Sequence, residues 1–439
     1  MSSFRKIIFL ALLTMLAFLV ACSSEIEPAP TAPGVRGSAS AATATEDTPT
    51  QTPKATDIAA ADPETAAPTR TPAMTEQPAT VSAIELTTPF NSPEYGVHTF
   101  MWWLPDIAER DLALVQEMEF GWVKQSFPWR DIETLEKGKH DWYRPDLIVD
   151  LVEKAGLKML VRIDRQPFWS QEEEWPPLEN APPDDYQDFG NFCGAMAERY
   201  RGRIAAYQIW NEPNLNREWG GEPPNPREYT ELLKVCYQAI KAADPEAIVV
   251  SAGLAPTGTE LPVAIPDTDF LQAMYDAGAA DFFDVLGLNA PGYKAPPEIS
   301  PEEAEATTEF GGGRWFTFRH VEDMRDIMVA NGDAAKQIAI LELGWTTDIL
   351  NPDYAWHSVT EEEQADYLVR AYQYADEHWQ PWIGPMFTIY IADFFWTPEE
   401  NEQWWWAITL PDGSRRPAFD ALKEMEKVTA GASQNDLQN

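Results

Sequence analysis

Cysteine and histidine are scarce, at 3 and 5 in 439 residues. The histidines are scattered, and no Cys or His spacing matches a metal-ligand set. No metal and no cofactor is expected. Positive charge is also in short supply. Lys and Arg number 32 against 71 Asp and Glu, a formal net charge of −39. Such a chain repels nucleic acid and anionic lipid at long range, so nucleic acid is excluded as a partner. The acidic residues are interleaved with basic ones rather than gathered in a block. They read as a solvated surface, and the polymer acted on is expected not to be polyanionic. A glycine-rich phosphate turn after an early strand is missing. The glycine run FGGGRW from Phe310 follows no expected strand and lacks a phosphate-binding lysine.

Long apolar runs are confined to the amino terminus. Arg5 and Lys6 precede about 14 mostly apolar residues, fewer than the ~20 that a spanning helix needs. This pattern fits a secretory signal segment. It ends in LVAC, which resembles a bacterial lipoprotein signal box. That resemblance implies removal of residues 1–21, lipid attachment to Cys22, and an extracytoplasmic protein anchored to the bacterial cell membrane. An uncleaved anchor with a chance cysteine is the alternative. Residues 22–86 are rich in Ala, Thr, Pro, Ser and Glu and nearly free of aromatics. They cannot bury enough apolar surface to offset ordering entropy, so a disordered tether is expected. The remaining cysteines, Cys193 and Cys236, fall on expected helices. An oxidising compartment permits a bridge. The favoured reading is two reduced, buried thiols acting as small apolar side chains.

What is abundant is tryptophan, 18 residues in a chain that is 12% aromatic. That exceeds what one core needs, so part of it is expected to face a ligand. From about Pro89 short apolar runs alternate with amphipathic ones. The expected strands start at Tyr95, Gly121, Lys158, Ile204, Ala247, Asp284, Gln337 and Met386. Asn225, Pro226 and Glu228 open one helix, Thr360 and Glu363 another, and Asn331–Gly332 close a third. Strand–helix alternation argues for a parallel sheet. Eight repeats suit a (β/α)8 barrel, an α/β TIM barrel, as one domain over residues 87–428, with a flexible tail at 429–439.

In such a barrel chemistry sits at the C-terminal strand ends. Two of those ends are anomalous. QIWNEPN at 208–214 breaks an apolar strand with an amide, a carboxylate and a proline. Proline cannot continue a central ladder. IAILELGW ends in Glu342, and alternation puts Glu342 on one face with Ile338 and Ile340. Two carboxylates across a barrel mouth suit glycoside hydrolysis, which needs an acid for the leaving oxygen and a nucleophile or base. WNEPN and LELGW also resemble the acid/base and nucleophile signatures of the (β/α)8 glycoside hydrolase clan, with families 39 and 5 nearest. FPWRDIETLEKGKHDW from Phe127 and DGSRRPAFDALK from Asp412 extend the likeness along the barrel.

The resemblance implies Glu212 as general acid/base and Glu342 as nucleophile, in a retaining enzyme that cleaves a β-linked poly- or oligosaccharide by double displacement. It makes Asn211 the partner of a sugar 2-hydroxyl. Lys124 stands where many relatives have Arg, and Asn289 where many have His, with Tyr293 further on. Asn289 is expected to donate to a sugar hydroxyl or to Glu342. Lys124, Asn289 and Tyr293 are therefore taken as substrate-binding, and so are Trp169, Trp345 and Trp396 in the strand-end loops. Arg162 and Asp164 are read as a salt bridge in the barrel wall. A non-catalytic sugar-binding lipoprotein and a transglycosylase are the alternatives, and a monomer is expected. If Cys22 carries the lipid, Cys22→Ala abolishes incorporation of a labelled fatty-acid analogue, and labelling that survives the substitution refutes it.

Overall fold

The computed structural model describes residues 86, 87, 90–172 and 180–428. The expected signal segment, Cys22, nearly all of the tether and the tail lie outside the described residues. Eight parallel strands close into a barrel in sequence order. They are β1 (Glu94–Thr99), β2 (Trp122–Pro128), β3 (Lys158–Asp164), β4 (Ala206–Ile209), β5 (Ile248–Val250), β6 (Val285–Pro291), β7 (Gln337–Gly344) and β8 (Ile383–Thr388). The main helices that follow them are α1 (Ala108–Glu117), α2 (Tyr143–Lys154), α3 (Tyr186–Arg199), α4 (Pro226–Ala243), α5 (Asp267–Asp276), α6 (His320–Ala330), α7 (Glu361–His378) and α8 (Pro417–Glu424).

All eight expected strands are present, and their edges differ. β8 starts at Ile383, ahead of the expected Met386, because Gly384 and Pro385 read locally as a turn. Barrel closure overrides that signal by pairing Pro385 with Glu94. Alternation then divides the core in two. Trp122, Leu160, Ala206, Val285, Leu341 and Phe387 fill the barrel lumen. Val97, Val123, Val161, Tyr207, Ile338 and Ile340 pack outward with Leu232, Phe270, Met324 and Leu368 of the helices.

Local helix signals act as expected, with one exception. The Thr360 and Glu363 side chains form a reciprocal capping box. The Asn225 side chain accepts from the N–H groups of Arg227 and Glu228. Glu228 does not complete that box, and its carboxylate bonds Tyr186 instead. Past α6, Gly332 takes φ +84°.

The expectation of two free thiols is overturned, since Cys193 and Cys236 form a disulfide with Cα atoms 5.4 Å apart. The cause is the close approach of α3 and α4. Gly190, Cys193 and Gly194 share one face of α3. A Cβ on Gly190 or Gly194 would stand 3.2 Å from Val235 Cβ or 3.3 Å from Ala239 Cβ. The two glycines bring the backbones within bridging range.

One buried charge cluster sits behind β6. His320 at the start of α6 lies between Asp267 (Nε2–Oδ2, 2.9 Å) and Asp323 (Nδ1–Oδ2, 2.9 Å). Burial works against its charge, but the charges and hydrogen bonds of Asp267 and Asp323 outweigh it and raise the imidazole to about 9. A folded-state value above the unfolded ~6.5 stabilises fully below pH ~6.5 and is lost as pH climbs through about 9. The shift corresponds to roughly 3 kcal/mol. Melting of the wild type and of His320→Gln from pH 6 to 10 should therefore show a gap that is widest at the acid end and closes toward pH ~9. A gap independent of pH would contradict this.

Candidate active site

The C-terminal ends of β4 and β7 are both irregular. Trp210 and Glu212 adopt φ +72° and +41° on either side of Asn211. Left-handed backbone in non-glycine residues costs on the order of 1–3 kcal/mol each and persists only where the surroundings impose it. Here the Trp210 N–H donates to Ile163 C=O at 3.0 Å and the Glu212 N–H to Gly253 C=O at 3.1 Å. The Trp210 indole N–H donates to Glu218 C=O at 2.8 Å. The turn throws the Glu212 side chain over the barrel mouth.

On β7 strict alternation breaks near the strand's end. Ile338 and Ile340 face the helices, not the lumen. Unbroken alternation would send Glu342 outward with them. The ladder to β6 slips instead, with Leu288 opposite Ile340 but Asn289 opposite Glu342. This extra residue is a bulge, which re-aims side chains. Leu341 stays in the lumen and Glu342 opens into the cleft above it.

The cleft has a volume of about 790 Å³, and both glutamates line it. Glu212 accepts from Asn289 Nδ2 at 2.9 Å on Oε1 and from Arg217 at 2.9 Å on Oε2. Glu342 Oε1 lies 3.2 Å from Lys124 Nζ and 3.8 Å from the Arg162 guanidinium. Lys124 also donates to Leu341 C=O at 3.0 Å and is 0% exposed. Burial pushes its ammonium down to about 8, against the pull of the Glu342 charge. Arg162 pairs with Asp164 at 2.9 Å, the wall salt bridge expected from sequence, and it reaches the cleft as well.

Asn211, Asn289, Tyr293 and Trp396 line the cleft with the two glutamates. Asn289 bonds Glu212 rather than Glu342. The other three substrate-binding assignments are corrected. Lys124 is sealed beneath Glu342 and holds that carboxylate instead of meeting a ligand. Trp169 stacks edge-on against Trp129 with centroids 5.6 Å apart, and its N–H is spent on Glu133 C=O at 2.7 Å. Trp345 is 0% exposed and donates to Ala295 C=O at 2.9 Å, with Gly292 leaving room for its ring. An indole at a strand end is claimed by loop packing when the neighbouring loop folds over it.

Several cleft residues carry no sequence motif. His98 is 2% exposed, stacked on Phe100, and neither ring nitrogen has a hydrogen-bond partner among the described residues. Burial, then the Lys124 and Arg162 charges, hold it well below the usual histidine range, so it is neutral. Its even-numbered register with Gly96 on β1 is the one signal that could have found it. Glu218 and Glu402 lie on loops after β4 and β8. Burial raises each to about 7, helped at Glu218 by the Glu212 charge and at Glu402 by Glu342. No group of His, Cys, Asp and Glu able to hold a metal occurs among the described residues.

No protein-family model matches this chain, and no curated protein matches it in sequence. Solved structures do. A family 39 glycoside hydrolase from Bacteroides cellulosilyticus WH2 superposes with a TM-score of 0.55 at 20% identity, over 76% of this chain and 63% of that one. GH5_18 from Streptomyces cattleya, solved with GlcNAc, gives 0.53 at 14% identity over 77% and 80%. A glucosidase from Croceicoccus marinus gives 0.51 at 13% over 71% and 62%. The likeness is one of fold. This chain carries the (β/α)8 barrel of these proteins, and it spans under two thirds of the length of the first and third.

Trp345→Ala should cost ~3–5 kcal/mol of stability, as buried aromatic truncations do. Trp396→Ala should leave the melting temperature nearly unchanged and weaken oligosaccharide binding in a calorimetric titration. The opposite pattern would return Trp345 to the cleft.

Proposed function

We propose that the protein is a retaining glycoside hydrolase acting on a β-linked poly- or oligosaccharide. The observation that carries this reading is the pair of glutamates at the ends of β4 and β7, both turned into one cleft by local irregularities that break the strand pattern. Glu342 attacks the anomeric carbon while Glu212 protonates the leaving oxygen, and a glycosyl–enzyme forms. Glu212 then takes a proton from water, which attacks the same carbon from the face the leaving group vacated as the bond to Glu342 breaks and its carboxylate is released. Lys124 and Arg162 steady the Glu342 carboxylate before attack. Asn289 and Arg217 orient Glu212.

The walls suit a sugar. His98 and Asn289 on the cleft wall carry buried polar atoms, the two ring nitrogens and Oδ1, without partners among the described residues. Such groups are costly unless satisfied, and sugar hydroxyls supply both donors and acceptors. Asn211 and Trp396 both line the cleft, and in this reading Asn211 bonds the 2-hydroxyl while Trp396 offers an aromatic face. We further propose that Cys22 anchors the enzyme outside the cytoplasm, with residues 22–86 as the tether.

Glu212→Ala should cut cleavage of unactivated substrate ~10²–10⁴-fold, the usual share of a general acid. It should leave glycosyl–enzyme formation from an activated aryl glycoside largely intact, and azide should release a β-glycosyl azide. Glu342→Ala should form no intermediate and give the α-azide. Near wild-type rates in both variants, or inverted product from the wild type by NMR, would overturn the assignment.

A further inference from the structure

The cations in and beneath the cleft differ in one respect. Lys124 has Glu342, Arg162 has Asp164 and Arg217 has Glu212. Arg165 lines the same cleft and has no ion pair or side-chain hydrogen bond among the described residues. This occurs in a chain where 71 acidic residues face 32 basic ones. An unpaired guanidinium is conspicuous against that excess of carboxylates.

Its placement is imposed by the fold. Arg165 follows β3 with φ +61°, a left-handed conformation that a non-glycine residue seldom adopts. Its carbonyl is held by the Arg130 N–H at 2.8 Å. The guanidinium lies over the Trp103 ring, 5.9 Å from the centroid, and Trp103 is 42% exposed on the cleft wall. The Arg165 Nε is buried with no acceptor among the described residues. A buried donor without a partner costs free energy, and the planar fork matches a carboxylate through two parallel bonds.

We propose that Arg165, braced on Trp103, binds the carboxylate of a uronate unit, so that the substrate is a β-linked oligosaccharide bearing an acidic sugar. This rests on the glycosidase reading and names its substrate class. The net charge of −39 sets a limit. A polyanion would be repelled along its length, whereas one carboxylate needs only the local field within a Debye length of ~8 Å. The ligand is therefore an oligosaccharide with isolated uronate units among neutral ones.

The test is calorimetric titration of the full chain with a glucuronate-containing β-linked oligosaccharide and with the same compound after reduction of its carboxyl to the alcohol. Wild type should bind the acid form about tenfold or more tightly. Arg165→Gln should lose that preference, and Arg165→Lys should keep part of it. Equal binding of the two forms by wild type, a preference that survives Arg165→Gln, or no binding of the acid form would each overturn the proposal. Should Arg165→Gln fail to fold, salt decides with wild type alone. The preference must shrink as ionic strength rises, and constancy overturns it. Chromatography of the same mixtures separates the two claims. A preference without cleavage refutes hydrolysis and leaves acid recognition standing, and cleavage without preference does the reverse.

Discussion

The ammonium of Lys124 sits fully buried beneath the carboxylate of Glu342, 3.2 Å away. Removing either partner would strand the other charge in the barrel throat, a change that costs several kcal/mol. Lys124 is fixed from the other side by the Leu341 carbonyl. That carbonyl belongs to the residue where β7 slips against β6. The ion pair and the bulge therefore support each other. The slip turns Glu342 inward, and the buried cation gives it a reason to stay there.

The opposite side of the mouth is built differently. Among the described residues no buried cation pairs with Glu212. It is held by a neutral amide, Asn289, and by Arg217, whose side chain is 66% exposed. One carboxylate is thus gripped from within the protein and the other from the solvent side. A nucleophile must stay ionised and still, while an acid/base must exchange protons with substrate and water. The asymmetry of the two supports matches the division of labour proposed for them.

The charge of the whole molecule and the charge of the cleft also differ in kind. The surface is strongly acidic. The cleft gathers three arginines, a neutral histidine and two carboxyls raised to about 7 by burial first of all. Near neutral pH its walls are far less negative than the exterior. Hydroxyl groups, and a single anionic one, can enter there without meeting the field that the surface presents to a polyanion.

The sequence by itself determined the barrel, because eight alternations of strand and helix are a local, repeated signal that closure only has to join. It also singled out the two glutamates that line the cleft, because NEP and LELG disturb a hydrophobic pattern at the C-terminal ends of their strands. Tertiary structure alone decided which way those side chains point. Glu342 reaches the cleft through a slip between two strands, and no period within one strand reveals a slip against its neighbour. The fates of Trp169 and Trp345 were decided by loops distant in sequence. The disulfide required two helices to meet at glycines, although both cysteines were visible from the start. Arg165 and His98 had no motif at all. Their meaning lies in the partners they lack among the described residues, and a missing partner is a property of the assembled cleft, not of the chain that folds into it.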